Sequence, residues 1–162
     1  MHKAKKVNVR NAIRLVFLAA AAAAAVAVYL LIHSEKKCFD EHIRENFEFV
    51  LTSKNHLIYV CEKVDKDKKE IVAYAGFSIS YEQADVLSVC VHEDFRRRSI
   101  AYVLLDSLME ELKEIGVMSV FLEVSEDNAA AQKLYEKLGF IKISERKNYY
   151  GTKSAIIMQK QL

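Results

Sequence analysis

DVLSVCVHEDFRRRSIA, residues 85–101, is the stretch of sequence that decides the fold. Residues 85–91 are mostly apolar and rich in β-branched side chains, which predicts a strand buried on both faces. Apolar residues then recur at helical spacing as far as Ile115 and a glycine follows, so an amphipathic helix is predicted over residues 98–115. Three arginines, at 96–98, stand at the start of this helix. The free N–H groups and the positive dipole end of a helix N-terminus favour an anion such as pyrophosphate at this place.

A second strand and a second helix follow directly. Residues 117–124 are again mostly apolar, and Glu123 is the only ionisable residue among them. A lone carboxylate near the C-terminal end of an apolar strand is a candidate proton acceptor. Polar caps at residues 125–128 introduce a helix that ends at Gly139, and Tyr135 projects from the middle of this helix. The pattern therefore predicts an α/β domain with Glu123 and Tyr135 near one edge of a sheet.

Six short motifs carry a family resemblance. They are VCV at 89–91, DFRRRSIA at 94–101, LEV at 122–124, NAAA at 128–131, LYEKLGF at 134–140 and RKNYY at 146–150. In this order they resemble the GCN5-related N-acetyltransferase (GNAT) superfamily, and most closely its ribosomal-protein-alanine N-acetyltransferases of the RimI type. The resemblance extends from about Cys38 to Met158. It implies a mixed, mostly antiparallel sheet of about seven strands, flanked by about four helices and splayed between the fourth and fifth strands.

The resemblance also implies a reaction. It predicts transfer of an acetyl group from acetyl-CoA, without a metal, to the α-amine of a protein N-terminus, with a ribosomal protein as one acceptor. Glu123 matches the base that deprotonates the amine, directly or through a water, and Tyr135 matches the acid that protonates the leaving thiolate. Tyr149 and Tyr150 match the wall of the peptide site. The residues that match the cofactor site are Val89, Cys90, Val91, Arg97, Arg98, Ser99, Ile100, Ala101, Tyr102 and Asn128.

Two features depart from the family pattern. Ser99 stands where the family carries glycine, whose bare backbone lets phosphates approach closely. A Cβ in a left-handed turn at this position predicts weakened binding of acetyl-CoA. Lys153 and Ser154 stand in place of an acidic pair at the peptide site. Two alternatives therefore stay open: acetylation of a small amine or a lysine side chain, and a non-catalytic acyl-CoA-binding protein of the same fold.

The first 34 residues differ in composition from the rest of the chain. They contain five basic residues and no acidic residue, and an uncharged run extends from Leu15 to Ile32. One interpretation is an overlong first helix of the domain, after a first strand at residues 7–12; the other is a membrane anchor or a targeting segment. Eighteen helical residues reach about 27 Å, short of a hydrocarbon core near 30 Å, which favours the first. We predict an N-acetyltransferase domain over residues 35–162 in the cytoplasm, with membrane anchoring as the alternative.

Composition limits the other function classes. A chain of 162 residues is long enough to bury the core of one domain. Its three cysteines, an odd number without C-x-x-C spacing, predict neither a disulfide framework nor a zinc site. One short arginine cluster does not predict a nucleic-acid surface.

The remaining segments are placed by the same patterns. Alternating apolar residues predict antiparallel strands at residues 56–64 and 71–80, and closing strands at 141–145 and 154–159. A helix is predicted over residues 39–51.

Overall fold

The computed structural model describes residues 13–18, 55–65 and 68–162 of the chain. These residues form a seven-stranded sheet with two α-helices on it and a short 3-10 turn at Glu93–Phe95. The strands are β1 (Ile13–Leu18), β2 (His56–Asp65), β3 (Lys68–Ser80), β4 (Gln83–Val91), β5 (Ser119–Ser125), β6 (Ile141–Tyr150) and β7 (Lys153–Gln161). The helices are α1 (Ile100–Glu114) and α2 (Ala129–Lys137).

The sheet has the order β1-β2-β3-β4-β5-β7-β6. Its neighbouring strands are antiparallel except for β4 and β5, which run parallel and are joined through α1. A parallel pair needs such a long crossover, because a tight turn cannot bring the chain back to the same end of the sheet. The predicted mixed, mostly antiparallel sheet is confirmed. The helices predicted before residue 55 lie outside the described residues.

The first strand that the structure describes is β1, and the strand predicted at residues 7–12 lies outside the described residues. β1 pairs antiparallel with β2, with Ile13 opposite Lys63 and Leu18 opposite Ile58. Its sequence IRLVFL is rich in apolar residues that favour a strand. β1 thus includes residues 15–18, which are the start of the uncharged run.

The rest of that run lies outside the described residues, as do all residues from 19 to 54. The start of the predicted overlong helix is wrong, because Ile13–Leu18 forms strand β1; the rest of that helix, the rest of the anchor and the domain boundary near residue 34 lie in residues 19–54. Among the residues that the structure describes, no helix is long and apolar enough to cross a membrane.

One face of α1 fixes this helix on the sheet. Its leucines at 104, 105, 108 and 112 are at most 1% exposed and join one cluster with Phe77 of β3 and Val120 of β5. Burying several leucines fully is the main stabilising contribution available to a helix of this length. The N-terminus of α1 is thereby held beside the C-terminal end of β4.

A gap opens between β4 and β5. The two strands pair only at Gln83–Asp85 opposite Ser119–Phe121 among the described residues. Farther along, β4 stays paired with β3, whereas β5 pairs with β7. A bulge accompanies the divergence, since Ser88 lies opposite Gly76 and Val86 opposite Phe77, which leaves Leu87 as an extra residue in β4. The predicted splay between the fourth and fifth strands is confirmed.

Candidate active site

A cavity of about 550 Å³ lies beside the C-terminal half of β4. Its walls come from β4, the first turn of α1, one side of α2 and the turn that carries the arginines at residues 96–98, called here the arginine turn. Seven of the ten residues that the family resemblance assigned to the cofactor line it, and so does Tyr135. The lining residues are Val89, Val91, Phe95, Arg96, Arg97, Ser99, Ile100, Ala101, Tyr102, Ala130, Ala131, Leu134, Tyr135 and Lys137.

The backbone of β4 presents donors to the gap. The N–H of His92 donates to the carbonyl oxygen of Val72 at 2.9 Å, on the β3 side. Because backbone N–H groups alternate in direction along a strand, those of Val89 and Val91 point to the opposite edge, toward the gap. The same alternation directs the backbone of Cys90 to β3, and its side chain is buried. Two backbone donors therefore stand where the resemblance predicts an acyl carbonyl.

The first turn of α1 offers further donors. The first helical hydrogen bond runs from the N–H of Val103 to the carbonyl of Ser99 at 3.0 Å, and the Ser99 side chain makes no capping hydrogen bond. The N–H groups of residues 100–102 therefore precede the helical ladder and border the cavity. Arg97 and Ser99 have positive φ angles of 61° and 60°. The left-handed turn that we predicted at Ser99 is confirmed.

The three arginines have separate positions. The Nε of Arg96 donates to the carbonyl oxygen of Val91 at 3.0 Å, which ties the turn to the end of β4. Arg97 lines the cavity, whereas the guanidinium of Arg98 lies 5.3 Å from the centre of the Phe95 ring. The ammonium of Lys63 lies 5.5 Å from the same ring. Sequence reasoning missed Phe95 as the support of this turn, although an aromatic residue next to three arginines is a usable signal.

Tyr135 reaches the cavity from α2. Its ring packs edge-to-face on Phe140, with 5.8 Å between the ring centres. The Asn128 side chain caps α2 by accepting a hydrogen bond from the N–H of Ala131 at 3.2 Å, and Asn128 does not line the cavity. The cap and the ring contact hold the phenol on the side of the sheet that carries the arginine turn.

Glu123 lies on the other face of the sheet. Its neighbours Leu122 and Val124 are buried in the core beneath α1, so alternation along β5 points Glu123 away from that core. Its side chain remains 30% exposed, and its Oε1 lies 3.1 Å from Nη2 of Arg146. Glu123 does not line the cavity that contains Tyr135. The two predicted catalytic residues therefore approach the gap from opposite faces.

β6 brings an aromatic residue to the same face as Glu123. Arg146 lies opposite Ala155 and Tyr150 opposite Lys153, so residues 147–149 form a bulge against a single residue of β7. Asn148 within the bulge has a φ of 56°, and Tyr149 is 48% exposed. The guanidinium carbon of Arg146 lies 4.6 Å from the centre of the Tyr149 ring. The backbone of Tyr150 belongs to β6, and its side chain lies outside the described structure.

The turn between β6 and β7 is tied to the loop before α2. The ammonium of Lys153 donates to the carboxylate of Asp127, and this hydrogen bond lowers the pKa of the Asp127 carboxyl. The N–H of Ser154 donates to Oε1 of Glu126 at 2.9 Å. Lys153 and Ser154 thus have structural partners in place of the acidic pair of the family. Across the described ranges, no group of three histidine, cysteine, aspartate or glutamate residues could hold a metal ion.

Comparison with known proteins identifies one family of enzymes. Residues 27–140 match the acetyltransferase (GNAT) family. The chain is 38% identical over 104 residues to a [ribosomal protein bS18]-alanine N-acetyltransferase of Salmonella typhimurium, an alignment that covers 62% of this chain and 70% of that protein. A protein of the same name from Escherichia coli is 38% identical over 93 residues, which cover 55% of this chain and 63% of the relative.

A solved structure resembles most of the fold. The crystal structure of the ribosomal-protein-S18-alanine N-acetyltransferase from Escherichia coli superimposes with a TM-score of 0.76 and 26% sequence identity. The superposition covers 93% of this chain and 94% of that one.

Proposed function

We propose, because this chain belongs to the acetyltransferase (GNAT) family, that it moves an acetyl group from acetyl-CoA to the α-amine of a protein N-terminus. The observation that carries this function is the gap between β4 and β5. Backbone donors of β4 border it, the phenol of Tyr135 lies on one side of the sheet, and the carboxylate of Glu123 lies on the other. Such a gap lets an acyl donor and an amine meet from opposite faces.

The cavity suits coenzyme A. Its volume of about 550 Å³ lies within the range of roughly 300–1,000 Å³ typical of sites for small molecules and cofactors. The N–H groups of residues 100–102 and the guanidinium of Arg97 would bind the pyrophosphate, because a helix N-terminus and a cation both stabilise an anion. The N–H groups of Val89 and Val91 would then face the thioester carbonyl.

The residues divide the chemistry between them. A protein α-amine has a pKa of about 7.7–8.0 and is largely protonated at pH 7, so a base must remove a proton before the nitrogen can attack. Glu123 accepts this proton, directly or through a water. The amine then attacks the thioester carbonyl, and the N–H groups of β4 stabilise the oxyanion. The C–S bond breaks as Tyr135 protonates the departing thiolate, and the nitrogen loses its second proton, which restores the phenol through solvent.

The acceptor would approach from the face of the sheet on which Glu123 lies. Tyr149 packs on Arg146, which pairs with Glu123, and the Tyr149 ring would form a wall for a peptide. We assign Tyr150 to the same wall. The relatives from Salmonella typhimurium and Escherichia coli are named for alanine of ribosomal protein bS18. We therefore propose a ribosomal protein with an N-terminal alanine as the first acceptor to test, modified in the cytoplasm, where acetyl-CoA is made and used.

The N-terminal part of the chain is included in this proposal. β1 pairs with β2 along its full length, and the family match begins at residue 27. Both observations support assigning the region before residue 35 to the acetyltransferase domain instead of to a separate anchor. Recovery of the full-length chain in the membrane pellet after carbonate extraction would contradict this assignment.

A peptide panel tests the function. The protein is incubated with acetyl-CoA and an alanine-starting peptide, the same peptide with a blocked N-terminus and an internal lysine, or a polyamine. Free thiol is followed, and mass spectrometry locates the acetyl group. Acetylation confined to the α-amine supports the proposal. Product on lysine or polyamine alone favours the first alternative, and binding of acetyl-CoA without turnover on any acceptor favours the non-catalytic one.

Ser99→Gly is expected to strengthen the binding of acetyl-CoA. A left-handed conformation costs a non-glycine residue about 1–2 kcal/mol, and Ser99 is also one of the residues that line the cavity. Removing the Ser99 Cβ should raise affinity severalfold by calorimetry. Ser99→Ala is the matched control, since it keeps the Cβ and removes only the hydroxyl. Equal affinities of the glycine variant and the parent protein would show that the Cβ does not crowd the cofactor.

Two substitutions separate the roles of Asn128. Asn128→Ala removes the cap of α2 and should lower the free energy of unfolding by about 1 kcal/mol, whereas Asn128→Ser keeps a capping oxygen and should lose only a few tenths. Both replace the side chain that the family resemblance assigns to the cofactor, so both should bind acetyl-CoA more weakly. Undiminished affinity in Asn128→Ser would restrict Asn128 to capping.

A further inference from the structure

Arg146 links the proposed base to the proposed peptide wall. Its guanidinium contacts two groups at once: Nη2 lies 3.1 Å from Oε1 of Glu123, and the guanidinium carbon lies 4.6 Å from the centre of the Tyr149 ring. The side chains of Arg146 and Glu123 are 52% and 30% exposed. An ion pair so open to water contributes little to folding, so stability alone does not account for this arrangement.

Three strands build the contact. Arg146 on β6 lies opposite Ala155 of β7, and Ala155 lies opposite Ser125 of β5. Ser125 is two residues from Glu123, so Arg146 and Glu123 share one face of the sheet. Ala155 has only a methyl group, which leaves room for Arg146 to cross β7. The bulge that follows Arg146 then returns the Tyr149 ring to the guanidinium.

We propose that Arg146 is a positioning residue for Glu123. Glu123 has a flexible side chain on a half-open face, and a base works only within hydrogen-bond reach of the proton that it removes. The guanidinium holds the carboxylate in one rotamer beside the gap, and the Tyr149 ring holds the guanidinium. A guanidinium keeps its proton at all relevant pH values, so Arg146 does not exchange protons with the base or the amine. This inference rests on the proposed role of Glu123.

A double-mutant cycle tests the proposal. Arg146→Met, Glu123→Gln and the double variant are assayed with acetyl-CoA and the alanine-starting peptide. Arg146→Met should lower kcat about tenfold to a hundredfold, the cost of a misplaced catalytic group, with little change in the KM for acetyl-CoA. In the Glu123→Gln background the same substitution should cause no further loss. Arg146→Lys should restore part of kcat, because it keeps the charge without the planar fork.

Lys142→Met is the matched control. It removes another ion pair of β6, in which the Lys142 ammonium lies 2.8 Å from Glu145, and the Lys142 side chain is 50% exposed. We expect unchanged kcat for this variant. Thermal unfolding verifies that each variant folds, and Arg146→Gln replaces Arg146→Met if the methionine variant does not.

The outcomes distinguish an error in the proposed base from an error in the role of Arg146. Full turnover in Glu123→Gln overturns the proposed base, and with it the role of Arg146. If Glu123→Gln is inactive while Arg146→Met matches the Lys142→Met control, only the inference on Arg146 is wrong. Equal losses from Arg146→Met in both backgrounds would mean a structural role and would also overturn the inference.

Discussion

Glu123→Gln is expected to lower kcat for α-amine acetylation by about a hundredfold to ten-thousandfold, the usual contribution of a positioned general base. Glutamine keeps the size and the hydrogen-bonding capacity of the side chain but cannot accept the proton. Affinity for acetyl-CoA should not change, because Glu123 lies outside the cavity. Stopped-time assays of thiol release give kcat, and calorimetry gives the affinity.

The loss should also depend on pH in a defined direction. Above an amine pKa of about 7.7–8.0 the acceptor loses its proton to solvent, so the need for a base declines. The ratio of parent to variant kcat should therefore fall between pH 7 and pH 9. Glu136→Gln is the control, since Glu136 is exposed on α2 next to Tyr135 and belongs to no part of the proposed site. A pH-independent ratio would argue that Glu123 binds the acceptor and does not take its proton.

Local sequence patterns were sufficient to predict the elements that line the proposed cofactor cavity. The helical spacing up to Ile115 predicted a helix over residues 98–115, and α1 spans Ile100–Glu114. Ser99 stands where the family carries glycine, which indicated a left-handed turn, and the backbone adopts it. Such features depend on residues close in sequence, so the sequence contains most of the information that determines them.

Features set by contacts between strands were harder to predict. The first helix was expected to follow residue 12, but Ile13–Leu18 forms a strand, because these residues pair with β2. β6 was expected to end at residue 145 and continues to Tyr150, since its bulge hides the alternation that marks a strand. The contact of Arg146 with Glu123 joins residues 23 positions apart across β7. Nothing in the local pattern around either residue indicates it.

The same distinction explains the position of the arginines. A basic cluster at a helix start indicates an anion, but it does not say which side chain turns toward the cavity. Arg97 borders the cavity, whereas Arg98 lies against Phe95. This choice depends on the fold of the turn Glu93–Phe95, which places an aromatic face beside one arginine and not the next. Roles within a motif thus need the tertiary contacts of each residue.

Tyr135→Phe is expected to lower kcat about a hundredfold while leaving affinity for acetyl-CoA nearly unchanged. Phenylalanine keeps the edge-to-face contact with Phe140, so the fold and the cavity wall are preserved. Only the hydroxyl that would protonate the thiolate is lost. Because an ordinary thiol has a pKa of about 8.5, the released sulfur no longer needs a proton above that pH, and the loss should shrink above pH 9.

Tyr81→Phe is the control for removing a phenolic hydroxyl, since Tyr81 is 97% exposed on the turn between β3 and β4. It should keep full activity. The double variant of Glu123→Gln and Tyr135→Phe should lose more kcat than either single variant and keep only the residual turnover that the backbone donors of β4 support, because neither proton transfer is then assisted. If Tyr135→Phe alone matches the parent protein at pH 7, the thiolate leaves without protein help. Turnover at the parent rate in the double variant would remove both residues from the mechanism and leave catalysis to the backbone donors of β4.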